Sequence, residues 1–279
     1  MLTNLDLGAI GRLGNQMFQL SALIGMASRC GTVLRIPREN TESGFARFRD
    51  AATGVETDLH CELREVFALP EGWFVPRSDI LPRIRYRYGE PHFHFDPEAM
   101  NVIAGTALQG YFQSPRYFEH TAEAVRRAFQ FRPEIQRAAE ELRRRMHGGL
   151  PIVAVHVRRG DYVALADRHP VLGAEHYRRA LTIACGGERC QVWIFSDDPE
   201  GCRDAFPGCR VLEAGDRSVA LCLMSLCDHF VIANSSFSWW GAWLGDHGRS
   251  RVVAPRQWFG PALSRHRTHD LLPPSWQLC

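Results

Sequence analysis

Three polar groups stand directly after apolar runs in the second half of the chain: His156-Val157-Arg158-Arg159-Gly160-Asp161-Tyr162, Ser196-Asp197-Asp198 and Asn234-Ser235-Ser236. Arginine keeps its charge at any physiological pH and presents forked donors that match phosphate oxygens. One of Arg158 and Arg159 is therefore expected to reach a diphosphate while Asp161 holds the other, since neighbours on an extended segment point to opposite sides. A structural Arg–Asp ion pair at a strand end is the competing reading. Asn234-Ser235-Ser236 opens a helical pattern, so its hydroxyls and backbone amides either bind an anion or simply cap the helix. Asp197-Asp198 has the make-up of a metal-binding acid pair. With arginines beside it and no further acid cluster in sequence, a metal-free site is expected, the carboxylates bonding hydroxyls, amides or arginine. Gly11-Arg12-Leu13-Gly14-Asn15-Gln16, near the start, is not a dinucleotide fingerprint. Its glycines let the backbone approach a ligand, with Arg12 and Asn15 near a helix N-terminus, and a plain tight turn fits equally well.

These groups need elements to position them. Leu5–Ile10 reads as a strand, residues from Met17 to Ala27 recur at helical spacing, and Thr32–Ile36 reads as a second strand, giving an opening βαβ unit. From Thr41 to Pro115 the pattern is irregular, with loops and short helices expected. Glu119–Phe129 and Pro133–Met146 read as helices, and His147-Gly148-Gly149-Leu150-Pro151 breaks the pattern. The expected boundary lies there, with lobes at 1–148 and 149–279 and the last helix free to pack back on the first lobe. In the second lobe, strands at Ile152–Val157, Gln191–Phe195, Val211–Glu213, His229–Ala233 and Arg251–Ala254 alternate with helices at Ala174–Ala184, Val219–Cys227 and Phe237–Leu244. Apolar strands alternating with helices mean a parallel sheet covered on both faces, with ligands at the carboxyl ends of its strands. All three polar groups occupy such ends.

Composition narrows the partners. All 33 Lys+Arg residues are arginine, and 31 acidic residues oppose them for a net charge of +2, which leaves no nucleic-acid footprint. Nine cysteines without a CxxC pair argue against structural zinc, and their odd number, with no charged and then apolar leader, favours a reducing cytoplasm. No window approaches the length of a membrane span. Peripheral membrane contact through a lipid-linked substrate stays open.

The stretches GRLGNQMFQ, LQGYFQSPRYF, HVRRGDY, WIFSDD, CLMSLCDHFVIANSSFSWWGAWL, APRQWF and THDLLPPSW occur in this order from residue 11 to residue 276. Together they resemble the family-11 glycosyltransferases, the α-1,2-fucosyltransferases, and more distantly the α-1,6- and protein O-fucosyltransferases. The resemblance implies an α/β, GT-B-like fold of two Rossmann-like lobes with a donor cleft between them. It implies inverting transfer of L-fucose from GDP-fucose, a substrate and not a cofactor, to the 2-hydroxyl of a galactoside-terminated glycan without a metal. By similarity Arg158 is the principal diphosphate contact, His156 lies beside the donor, and Asn15 reaches the site from the first lobe; these three are the expected catalytic residues. Gly11, Arg12, Arg159, Asp161, Ser196, Asp197, Asp198, Asn234, Ser235, Ser236 and Phe237 are the expected donor-binding set. Many relatives carry an acid before Leu223-Met224-Ser225, expected to read guanine, where this chain has Ala220; Asp216 is the nearest acid upstream. Another linkage, acceptor or GDP-sugar, a non-catalytic GDP-sugar-binding protein, and a structural α/β interaction protein are the alternatives.

Overall fold

The computed structural model describes residues 1–49, 56–212 and 215–279. Two compact units divide the chain: Met1–Arg132 with His266–Leu272, and Pro133–Arg265 with Pro273–Cys279.

In the first unit the elements run β1 (Leu2–Thr3), α1 (Leu13–Arg29), β2 (Leu34–Pro37), β3 (Ala46–Arg49), β4 (Glu56–Leu59), α2 (Leu63–Val66), β5 (Phe74–Val75), α3 (Arg77–Ile80), β6 (Tyr86–Gly89), β7 (Thr106–Gln109) and α4 (Ala122–Ala128). Five strands form a parallel sheet in the order β5-β2-β1-β7-β6, and β3 pairs with β4 as a separate antiparallel ribbon. Helix α1 is buried from Leu13 to Ala27 apart from Asn15, so it is the core helix of the unit. The first strand is shorter and earlier than the apolar run suggests. Leu5–Ile10 forms turns because side chains take over the role of neighbouring strands: Asn40 Nδ2 donates to the Leu5 and Leu7 carbonyls at 3.1 and 2.9 Å, and Arg77 Nη2 to Leu5 at 2.8 Å. The stretch from Thr41 to Pro115, read as loops and short helices, supplies β3 to β7 among its described residues; strands of two to four residues are too short to show a period.

In the second unit the elements run α5 (Pro133–Met146), β8 (Ile152–Val157), α6 (Gly160–Ala164), α7 (Ala174–Cys185), β9 (Gln191–Ser196), α8 (Pro199–Ala205), β10 (Arg210–Leu212), α9 (Arg217–Ser225), β11 (His229–Val231), α10 (Ser236–Gly245), β12 (Val252–Ala254) and β13 (Gln277–Leu278). Glu213, expected to end the third strand, lies outside the described residues. The sheet is wholly parallel in the order β10-β9-β8-β11-β12-β13. Counted along the chain this is 3-2-1-4-5-6, the order of dinucleotide-binding sheets, whose direction reverses between β8 and β11. Every residue of β8 is buried. Val153, Val155 and Val157 share one core with Tyr177, Ala180 and Ala184 of α7, so His156, which alternates with them, faces the opposite layer. That layer contains α9 and α10, in near contact: a Cβ on Gly241 would stand 2.3 Å from Met224 Sδ, and one on Gly245 would stand 2.6 Å from the Ser225 carbonyl oxygen.

The division falls at Arg132–Pro133 and not at residue 148, because α5 is held by α9. Arg143 Nε donates to the Leu226 carbonyl just beyond α9 at 3.0 Å, and Cys222 Sγ to Gln136 Oε1 at 3.4 Å. The segment that rejoins the first unit near the end of the chain, His266–Leu272, contains no helix.

Candidate functional site

The reversal between β8 and β11 puts two of the polar groups side by side, with the third at the end of β9. Arg158 follows β8 on the same side as His156. Its Nη2 pairs with Asp161 Oδ1 at 2.7 Å and its Nη1 with Asp197 Oδ2 at 3.0 Å, while the guanidinium lies 5.3 Å from the Tyr162 ring centroid. Arg159 turns the other way: its Nε pairs with Asp198 Oδ2 at 2.9 Å and its backbone N–H donates to Asp197 Oδ1 at 2.9 Å. Asp161 thus holds Arg158, and both arginines are carboxylate-paired, so the expected division into one free and one held arginine does not describe this arrangement. What stays unspent is narrower. The Nε of Arg158 and the Nδ1 of His156 are buried with no hydrogen-bond partner among the described residues.

An unpaired buried polar group costs about 1–3 kcal/mol; seven further such atoms lie elsewhere among the described residues, and these two are distinguished by sharing one strand end. Burial first, and then the Arg158 guanidinium, push the His156 imidazole down to about 3, so it is neutral at physiological pH. Its ring lies 5.5 Å from that of Phe237 in the first turn of α10.

At the start of α10, Ser235 occupies the cap position in extended conformation, but its hydroxyl makes no capping hydrogen bond. Ser235 thus supplies no capping acceptor to this ten-residue helix, whose start carries the positive end of the helix dipole. Asn234 is a brace: its Nδ2 donates to the carbonyls of Pro170 and Trp258 at 3.2 and 3.1 Å, and its own carbonyl accepts from the Tyr162 hydroxyl at 3.0 Å. That last bond joins the loop after β8 to the loop after β11.

The β9 end is organised locally. The Ser196 hydroxyl accepts from the Asp198 amide at 3.0 Å, and Asp198 caps α8 by accepting from the Gly201 amide at 3.1 Å. A Cβ on Gly160 would stand 2.5 Å from Asp197 Oδ2, so a larger residue there must displace that carboxylate. Among the described residues no group of three or more His, Cys, Asp or Glu is arranged to hold a metal ion. Asp216, the acid nearest to Ala220, caps α9 by accepting from the Ser218 amide at 2.7 Å.

In the first unit, the sheet reverses between β1 and β7, and the glycine turn leads from β1 into α1. Gly11 has φ of +79°, and a Cβ there would stand 2.3 Å from Asn15 Nδ2. Arg12 is exposed at the cap position of α1, and its side chain makes no capping hydrogen bond. Asn15 is fixed by a residue to which the sequence assigned no role: Gln113, in the loop after β7, donates to Asn15 Oδ1 at 2.7 Å. Gln113 lies within the LQGYFQSPRYF stretch, whose repeated aromatic and amide residues were the available signal.

Two parallel sheets, one ordered as in dinucleotide-binding proteins and carrying an arginine-lined strand end, define a GT-B-like fold. The solved structures most like the chain include POFUT1 in complex with GDP, at TM-score 0.52 and 13% identity over 91% of this chain and 97% of that one. POFUT1 in complex with GDP-fucose is another, at TM-score 0.51 and 14% identity over 91% and 97%. The chain belongs to glycosyl transferase family 11, whose model matches residues 100–277. Relatives include the O-antigen biosynthesis glycosyltransferase WbnK of Escherichia coli, 30% identical over 57% of each chain. The alpha-1,2-colitosyltransferase of Escherichia coli is 34% identical over 54% of this chain and 55% of its own. The galactoside alpha-(1,2)-fucosyltransferase 1 of Lagothrix lagotricha is 27% identical over 84% of this chain and 63% of its own. The chain thus spans less than two thirds of the length of these curated relatives.

Proposed function

We propose that the protein transfers L-fucose from GDP-fucose, with inversion and without a metal, to the 2-hydroxyl of a terminal galactoside. The observation that carries the donor half of this reading is the pair of unpartnered buried atoms, Arg158 Nε and His156 Nδ1, beside the start of α10. As the C1–O bond of the donor breaks, positive charge grows on the sugar ring and negative charge on the leaving diphosphate. Preorganised donors stabilise that charge without reorganising during the reaction. Arg158 supplies fixed positive charge, the α10 amides supply oriented N–H groups, and neutral His156 offers a ring nitrogen that neither repels the sugar cation nor competes for the phosphate. Asp161 and Asp197 orient Arg158; Asp198 orients Arg159. These commitments to arginine support the metal-free reading of the acid pair.

We assign the donor mainly to the second unit and acceptor recognition to the first, with Gly11 and Arg12 kept in the donor-binding set and Asn15 among the catalytic residues. The name of the Lagothrix lagotricha relative supports a galactoside acceptor and that of WbnK a role in O-antigen biosynthesis; a lipid-linked precursor of a surface polysaccharide, assembled in the cytoplasm, is our extension of that reading. No helix among the described residues is long and apolar enough to cross a membrane. The colitosyltransferase relative supports a second reading, a transferase of the same family with another sugar donor.

GDP release from GDP-fucose, measured over a panel of β-galactosides with and without a chelator, tests the proposal. Acceptor-dependent release that persists with chelator is expected. Loss with chelator overturns the metal-free mechanism. GDP binding without release from any sugar donor overturns the catalytic reading.

A further inference from the structure

Beyond the arginine site, the loop that follows β7 carries an unusual load. Phe112 has φ of +53°, the one non-glycine residue at positive φ among those described, and it is fully buried. A bulky residue in the left-handed region is strained, and such strain persists only where its surroundings enforce it. The enforcing group is a carboxylate on the segment just after the neighbouring strand β6. Glu90 accepts from the Tyr111 amide at 2.8 Å through Oε2, and from the Phe112 amide at 3.1 and 3.0 Å through Oε1 and Oε2. Gly110, with φ of +155°, admits that carboxylate: a Cβ there would stand 2.4 Å from Glu90 Cβ and 2.8 Å from Oε2. The residue after the strained one is Gln113, which holds Asn15.

We propose that Glu90 is a positioning residue, whose carboxylate imposes the Gly110–Phe112 turn and thereby aims Gln113 at Asn15. This rests on the assignment of Asn15 to the transfer reaction. A neutral carboxyl group turns one of the two oxygens into a donor; Oε2 still reaches both amides, but without the negative charge its bonds to them are weaker. The surroundings oppose ionisation: burial, and then Asp270 and Asp96, raise Glu90 to about 7 against the two amides that lower it. The other groups facing it are the phenols of Tyr88, Tyr111 and Tyr117, each itself raised by burial and by nearby carboxylates. The turn is therefore set as the solution passes from mildly acidic to neutral.

The test compares the protein with Glu90→Ala and Glu90→Gln by three readings between pH 5.5 and 8.5. These are hydrogen exchange at the Tyr111 and Phe112 amides, affinity for GDP, and turnover of GDP-fucose with lactose. For Glu90→Ala we expect amide exchange to rise at least tenfold and kcat to fall at least tenfold, with GDP affinity within twofold of the parent. The parent should lose amide protection and kcat together below about pH 7, and Glu90→Gln should recover part of the protection with a flat profile there. Unchanged amide exchange in Glu90→Ala, faster exchange with unchanged kcat, or the same pH profile in parent and Glu90→Gln would each overturn the proposal. If Glu90→Ala does not fold, the Glu90→Gln profile decides. A parent that binds no GDP defeats the transferase reading instead, and amide exchange still reports on the turn.

Discussion

Replacing Arg158 by alanine is the most direct perturbation of the donor site. The guanidinium spans two carboxylates at 2.7 and 3.0 Å, and its side chain is 21% exposed. Asp161 is 42% exposed, so its pair contributes on the order of 0–1 kcal/mol to stability, whereas Asp197 is 25% exposed and its pair costs more to break. Folding should survive the change. Catalysis should not, because a preorganised donor at a developing negative charge contributes about 3 kcal/mol, or roughly 10²–10³ in kcat. The carboxylates left behind make the loss larger, since uncompensated Asp161 and Asp197 repel an incoming diphosphate. Arg158→Lys keeps one charge but has no fork to span both acids, and should recover only part of the activity. Initial rates of GDP release from GDP-fucose with lactose, alongside thermal unfolding and GDP titration, separate these effects. A folded Arg158→Ala protein that keeps more than about a third of parental kcat/KM would refute the role assigned to this arginine, because that loss is far below the factor expected for such a donor.

Two further changes probe the same site. Gly160→Ala places a Cβ 2.5 Å from Asp197 Oδ2 and should displace that carboxylate from Arg158, lowering kcat/KM by about tenfold or more with little change in unfolding temperature; unaltered kinetics would show that Asp197 does not orient the arginine. His156 is pushed down from 6.5 to about 3, so the folded protein binds fewer protons than the unfolded chain between those values. Its contribution to stability is present above pH 6.5 and is lost as pH falls toward 3. His156→Phe should flatten the acid side of the stability curve in urea unfolding, and the His156 ring resonances of the parent should not titrate between pH 5 and 8.

The second unit was the more legible half. Its first strand is read residue for residue as Ile152–Val157, because a strand buried on both faces is a continuous apolar run with a proline before it and arginines after it. The position of the polar groups at strand ends followed from the same pattern. Their pairings did not: that Asp161 and Asp197 share one arginine while Asp198 takes the other depends on where the β9 loop returns in space. Neither did the bracing role of Asn234, whose partners Pro170 and Trp258 are far away in sequence. In the first unit, Leu5–Ile10 has the composition of a strand and folds as turns, since Asn40 and Arg77 satisfy its carbonyls from a distance. Glu90 escaped notice for a related reason. It lies in an irregular segment, and only its approach to the Tyr111 and Phe112 amides gives it a function.

The arginine motif has one more implication, for how the donor arrives. Two arginines face three aspartates around the end of β8, a formal charge of −1, so the resting site is not a bare cationic trap. A site of that kind casts little field beyond a Debye length, about 8 Å at physiological ionic strength, and does not draw in polyanions at large. Capture of the donor is then governed by fit at close range. Association should depend weakly on salt, and inorganic phosphate should compete poorly with an entire nucleotide.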